Sequence, residues 1–173
     1  MHVVHLVRRF FGSLRPGGPR PEDRDWAESQ LLPGEAAIWT DLPAADRRHS
    51  ATVARRVQTD LGAAATRPVL AAALLHDCGK QVSGLHTFGR VGATIAAMTV
   101  ARRPETVARW SRSGGVRWYI GTYLRHPEIG ARLLTGAGSD PLTVAWTLEH
   151  HRPASRCTLD PRIADALRRA DDD

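Results

Sequence analysis

The chain has 173 residues, of which 42% are hydrophobic and 24% charged, a balance that suits one globular domain with its own core and excludes a disordered or fibrous chain. The formal net charge is +6, carried by 23 arginines and a single lysine, Lys80, against 18 acidic residues; unclustered charge without a recognition motif argues against nucleic acid as partner. No stretch reaches the roughly 20 apolar residues of a spanning helix. Cys78 and Cys157 form no CxxC pattern, so a reduced, cytoplasmic setting is expected.

Residues 1–24 read as a leader and a linker. Val3, Val7, Phe10 and Leu14 share a helical face beside Arg8, Arg9 and Arg15. This basic amphipathic pattern either docks on its own domain or makes weak contact with a membrane surface, and it lacks the apolar centre and cleavage site of a signal peptide. His2 and His5 belong to it. Residues 15–24, with three prolines and two glycines, form the linker. The domain proper is expected over 25–173, its motif-bearing part over 43–171.

A short helix over 25–38 is interrupted by Pro33-Gly34, and Trp26, Leu31, Leu32, Ile38 and Trp39 are expected to cap the core. From Asp46 to Leu61 a helical period sets His49, Val53 and Val57 on one stripe, and Gly62 ends it. Arg67-Pro68 opens the helix whose small-apolar run, Val69 to Leu75, delivers His76-Asp77-Cys78-Gly79-Lys80, with Gly79 as the stop. A helix over 84–101 is expected next, then one over 105–110, a turn over 111–115 and an apolar stretch from Trp118 to Leu124. Helices over 128–134, 142–151 and 161–171 complete the chain, the first led by His126-Pro127. Strand alternation is absent, so the fold class is all-α.

The histidines fall in register with the apolar positions. His49 shares a face with Val53 and Val57, His76 with Val69 and Ala73, His150 with Leu142 and Trp146, and Asp171 with Ile163 and Leu167. His126 marks a helix start before Pro127. One buried histidine is most often a satisfied core group. Several aimed at one core must share protons or a metal, because each charged form is costly to bury. A set of His and Asp without thiolates suits Fe, Mn, Zn or Co at a catalytic centre more than structural zinc. Asp77, with two oxygens, could bridge two ions, an arrangement that clamps phosphate and activates water.

In order and local text these residues resemble the HD-domain superfamily of metal-dependent phosphohydrolases. Arg48-His49-Ser50-Ala51-Thr52-Val53-Ala54 looks like its first motif and His76-Asp77-Cys78-Gly79-Lys80 like its HD-x-G-K motif. His126-Pro127-Glu128-Ile129-Gly130 and Glu149-His150-His151 are similar to the downstream elements of the HD-GYP branch, and Arg169-Ala170-Asp171 to the closing aspartate. The resemblance covers about residues 43–171. It implies an HD-type helical bundle around a central metal site, with one ion held by His49, His76, Asp77 and Asp171. Asp77 would bridge to a second ion held by His126 and His150. It further implies a ligand or substrate-contact role for His151, a phosphate contact for Lys80, and a nucleotide or similar small phosphate ester as substrate.

Two departures bear on the substrate and the metal count. Arg152-Pro153-Ala154-Ser155-Arg156 stands where the Gly-Tyr-Pro signature belongs, which weakens a cyclic dinucleotide. Ala45 stands where a three-metal relative would carry glutamate, which favours one or two ions. Arg90, Arg125, Arg152 and Arg156 flank the motifs as phosphate-binding candidates, His86 reads as a surface histidine, and the pocket is expected to depend on residues 84–125. Cys78 reads as a packed small hydrophobe, and Trp110, Trp118 and Trp146 as core. Two other roles fit the same residues: a di-iron oxygenase of the same superfamily, and a non-catalytic nucleotide- or partner-binding module.

Overall fold

A computed structural model of the chain describes residues 17–84 and 104–172. The leader, with His2 and His5, and all but Gly84 of the helix expected over 84–101, with His86 and Arg90, lie outside the described residues.

The first helix, α1 (Pro21–Ser29), starts inside the stretch expected to be linker. Pro21 supplies a preset φ at the first helical position, and Glu22 and Asp23 face the positive helix end. Likewise Pro33 does not interrupt a helix but opens a second one, α2 (Pro33–Thr40), so the region 25–38 is two helices with a break between them. The Leu32 amide donates to Glu35 Oε2 at 2.8 Å, satisfying one exposed donor of that new N-terminus.

The chain continues through α3 (Ala44–Leu61), ended by Gly62 at φ 54°, and α4 (Arg67–Leu75), opened by Pro68. A 3-10 turn over Cys78–Ser83 closes on Gly84 in the left-handed region, φ 63°. The stop after the His-Asp pair is therefore Gly84 and not Gly79. Then come α5 (Pro104–Trp110), α6 (Val116–Leu124), α7 (His126–Gly136), α8 (Pro141–Glu149), a 3-10 turn over Ala154–Arg156 and α9 (Pro161–Asp172). The architecture is all-α, with no strand among the described residues.

Helix α4 is the axis of the bundle. Every residue from Val69 to Leu75 is buried, as a helix apolar on all sides requires, and α2, α3 and α8 pack against it. Outside these, α9 lies on α3, α7 on α8, and α6 on α5 and on the 3-10 turn. Trp39, Val53, Val57, Leu74, Leu75, Leu134, Trp146 and Leu167 fill the space between them, each burying apolar surface at about 1.5–3 kcal/mol for a side chain of leucine size. The expected cap forms: Leu31 and Trp39 are buried and Trp26 and Ile38 pack against the core. Trp39 Nε1 donates to Ser50 Oγ at 2.9 Å, which fixes α2 against the turn of α3 beside His49. Thr143 Oγ1 donates to the Pro68 carbonyl at 3.0 Å and fixes α8 on α4.

Trp118 departs from expectation. It is 36% exposed, beside exposed Val116 and Tyr119, because α6 docks only through its C-terminal half, where Gly121 and Thr122 are buried. No described helix is long and apolar enough to cross a membrane.

Candidate metal centre

Four of the six expected ligands sit at helix ends, not along helix faces. His76 caps the C-terminus of α4 and Asp77 follows it; His150 caps the C-terminus of α8; His126 is the first residue of α7. His49 lies inside α3, and Asp171 in the last turn of α9. Arg56 Nη1 donates to the Ala170 carbonyl at 3.2 Å, and Arg169 pairs with Asp60 at 2.7 Å. These contacts tie the end of α9 to α3 and hold Asp171 opposite His49.

Helix ends explain how the imidazoles are oriented. The last carbonyls of a helix have no intrahelical partner, and three rings use carbonyls three residues back. Nδ1 of His76 lies 3.0 Å from the Ala73 oxygen, Nδ1 of His126 2.8 Å from that of Tyr123, and Nδ1 of His150 2.9 Å from that of Thr147. A carbonyl can only accept, so Nδ1 carries the proton and Nε2 of the neutral ring is left with its lone pair.

All three Nε2 atoms face Asp77. His126 and His150 approach Oδ1 at 3.3 and 3.5 Å, and His76 approaches Oδ2 at 3.4 Å. On the far side of His76, Asp171 Oδ1 lies 3.6 Å from its Nε2 and 2.9 Å from Nε2 of His49. Two donor sets result: His49, His76 and Asp171, and Asp77, His126, His150 and His151, each with ligand atoms within 4.8 Å of one another. Asp77 stands between them with one oxygen toward each. Nε2 of His76 and of His150 are fully buried and make no hydrogen bond. Acceptors facing acceptors in a buried site repel unless a proton or a cation lies between them. The nitrogen and oxygen donors fit a divalent first-row ion in each set.

The neighbouring charges show where a proton can take that place. Burial disfavours charge on His76, yet Asp77 and Asp171 outweigh it and raise its pKa. Burial works against ionisation of Asp77, but Lys80 and His76 hold its carboxyl well below the usual range. His126, where burial dominates, is pushed down to about 4 and stays neutral. His151, although exposed as a residue, has its Nε2 3.2 Å from His126 Nε2 and its ring centroid 3.9 Å from that of His150.

Lys80 is placed on Asp77, its ammonium in short contact with Oδ2, and it also lies 5.9 Å from the Tyr123 ring. It does not line the cleft beside the two donor sets. That cleft, of about 400 Å³, is lined by His76, His150, His151, Asp171, Trp146 and Arg168 among others. Its described walls come from α3, α4, α8, the loop after it and α9; none of the described residues 104–125 lines it, and residues 85–103 of the segment expected to shape the pocket lie outside the described residues. Of the arginine candidates, Arg152 lines it, whereas Arg125 bonds Ser111 Oγ at 3.1 Å and Arg156 is not part of its lining. Cys78 is buried, and burial pushes its thiol up to about 12; it is a packing group.

Two site residues escaped the sequence reading. Glu149 is buried and accepts from the Thr158 amide at 2.7 Å and from Arg152 Nη1 at 3.3 Å. It thereby ties down the loop that carries His150 and His151. A carboxylate directly before a histidine pair was the available signal. Arg168, three residues before Asp171, was the other. Compared with protein-family models, curated proteins and solved structures, the chain matches none of them.

Proposed function

We propose that the chain is a metal-dependent phosphohydrolase of the HD-domain type, holding two divalent ions (Fe, Mn, Zn or Co) and cleaving a small phosphate ester such as a nucleotide. One observation carries the reading: three imidazoles, each fixed through Nδ1 to a backbone carbonyl, turn their Nε2 lone pairs onto the two oxygens of one half-buried carboxylate, Asp77. That arrangement is a cost in a protein with no cation to bind and an asset in one that has it. His49, His76 and Asp171 would hold one ion and His126, His150 and His151 the other, with Asp77 shared between them.

When bound, such ions supply a nucleophilic hydroxide at neutral pH and neutralise charge on the phosphate. The chain's own groups do the rest. The carbonyl anchors set ring orientation and basicity, Asp77 keeps the two halves in register, and Lys80 adds a positive charge beside it. The free thiols of Cys78 and Cys157 suit a reducing, cytoplasmic setting.

Anaerobic purification with elemental analysis, followed by a phosphate-ester panel, tests the proposal. Two metals per chain and hydrolysis abolished in His76→Ala/Asp77→Ala are expected; metal-dependent hydrolysis retained by that double variant would sink it. An oxygenase reading of the same donor set is separated by oxygen uptake, and the arginines lining the cleft favour phosphate.

A further inference from the structure

The cleft holds one charged group with spare bonding capacity. Arg168 lies on α9 three residues before Asp171, on the same helical face. Its Nη1 reaches Asp165 Oδ1 at 3.4 Å, a long contact. Its Nη2 is buried and makes no hydrogen bond, and the guanidinium carbon lies 5.5 Å from the Trp146 ring. Leaving a buried N–H of a charged group without an acceptor costs about 1–3 kcal/mol or more. Arg168 lines the cleft and its side chain is 23% exposed, so an acceptor that enters the cleft can reach this guanidinium and, with a small turn of the side chain, give Nη2 a partner.

The rest of the cleft narrows what enters. Arg152 lines it and is held by buried Glu149 at 3.3 Å. Trp146, Leu167 and Val53 back it as nearly fully buried walls. Asp165, Asp171 and Asp172 also line it, so its charge favours an anion only once divalent ions sit on the His/Asp sets. Its volume of about 400 Å³ falls near the lower end of the roughly 300–1,000 Å³ of small-molecule sites.

We infer that Arg168 is a specificity-determining residue that binds the non-reacting oxygens of the substrate's phosphate through the planar fork of its guanidinium. This rests on the reading of the chain as a metal-dependent phosphohydrolase. Arg168 touches substrate and not the ions, so its removal leaves the metal content intact.

The test is calorimetric titration of inorganic phosphate into the full, metal-loaded chain as wild type, Arg168→Gln and Arg168→Lys, with metal content and melting temperature measured on each. Arg168→Gln is expected to bind phosphate roughly 10- to 100-fold more weakly at unchanged metal content. Arg168→Lys, which keeps the charge and most of the packing, should fall between, and it carries the comparison if the glutamine variant does not fold. With p-nitrophenyl phosphate, KM should rise more than kcat falls. Equal phosphate affinity in wild type and variants, or no phosphate binding by the metal-loaded wild type, overturns the assignment. Arg168-dependent phosphate binding without any hydrolysis removes the phosphohydrolase reading and leaves the anion site; hydrolysis with KM unchanged in both variants does the reverse.

Discussion

A β-carbon on residue 79 would collide with the carbonyl oxygen of His126 and come within 2.7 Å of the Gly130 amide nitrogen. The turn that carries Asp77 and the helix start that carries His126 thus meet backbone to backbone. Gly130 reciprocates, since a β-carbon there would meet Thr147 Cγ2 at 2.8 Å and Cys78 Sγ at 3.2 Å. Neither glycine is required by a left-handed φ; both are required by proximity. The 3.3 Å approach of His126 Nε2 to Asp77 Oδ1 depends on that contact.

Gly79→Ala should therefore act on both stability and metal content. The clash is with backbone, which cannot swing aside, so a loss of about 3 kcal/mol or more is expected. Any variant that folds should have α7 displaced and His126 withdrawn from Asp77. Elemental analysis should then give one ion per chain in place of two, with the His49, His76 and Asp171 set retained. A variant with wild-type melting temperature and metal content would contradict this account of the motif glycine.

The metal-free protein should be most stable near pH 6.5. His126 titrates near 4 when folded against 6.5 ordinarily. Between those values the unfolded chain takes a proton that the folded chain refuses, so stability falls as pH drops from 6.5 toward 4, by about 3 kcal/mol from His126, and His151, pushed down to about 2 chiefly by burial, adds a loss in the same direction. Asp77, depressed when folded, adds a further loss below its ordinary value of 3.8. His76 is raised when folded, so its contribution is complete below 6.5 and is lost as pH rises through its folded value. Urea midpoints of chelated protein across pH 4–9 check this. Saturating metal should flatten the profile near neutrality, since ligand-bound imidazoles no longer exchange protons there.

The candidate donor set was legible because all of its residues but Asp77, which follows His76 directly, are polar residues in register with an apolar stripe or beside a helix-starting proline: His49 with Val53 and Val57, His126 before Pro127. What joins them was not legible. The carbonyls of Ala73, Tyr123 and Thr147 that orient the rings belong to residues whose side chains say nothing of the role, and their availability follows from where each helix stops. The division of Asp77 between two donor sets is likewise a matter of three-dimensional placement. Pro33 misled because proline reads equally as a breaker and as a first residue, and only the packing of Leu31 and Trp39 decides between them. Arg168 was hidden among 23 arginines; its significance lies in an unbonded Nη2, which no pattern reveals.

Cys78 tests whether a thiol directly after the His-Asp pair has a chemical purpose. Its thiol is buried against Gly130 and pushed up to about 12, so almost none is thiolate at neutral pH. In native protein iodoacetamide should label half-buried Cys157 and leave Cys78 until the chain is unfolded. Cys78→Ala should lose about 1 kcal/mol of stability through the small cavity and keep its hydrolytic rate. Rapid native labelling of Cys78, or a large loss of kcat in the alanine variant, would restore a chemical role.

Lys80 should have opposite effects on metal binding and on turnover. In the metal-free chain its ammonium compensates the charge of Asp77 at Oδ2, the oxygen that faces His76. An ion shared by His76 and Asp77 must compete with that ammonium, and like charges repel in a site of low dielectric. Lys80→Met keeps the stem and removes the charge. It leaves half-buried Asp77 without its strongest compensating charge, so the metal-free variant should be less stable by about 1–3 kcal/mol. The metal-loaded variant should be nearly as stable as wild type, because the ions then satisfy the carboxylate. The rise in melting temperature on adding metal should accordingly be larger for Lys80→Met than for wild type, and its metal affinity higher. If Lys80 also contacts the phosphate, kcat should fall despite that tighter binding. Equal metal-induced shifts in the two proteins would show that Lys80 neither compensates Asp77 nor competes with the ion.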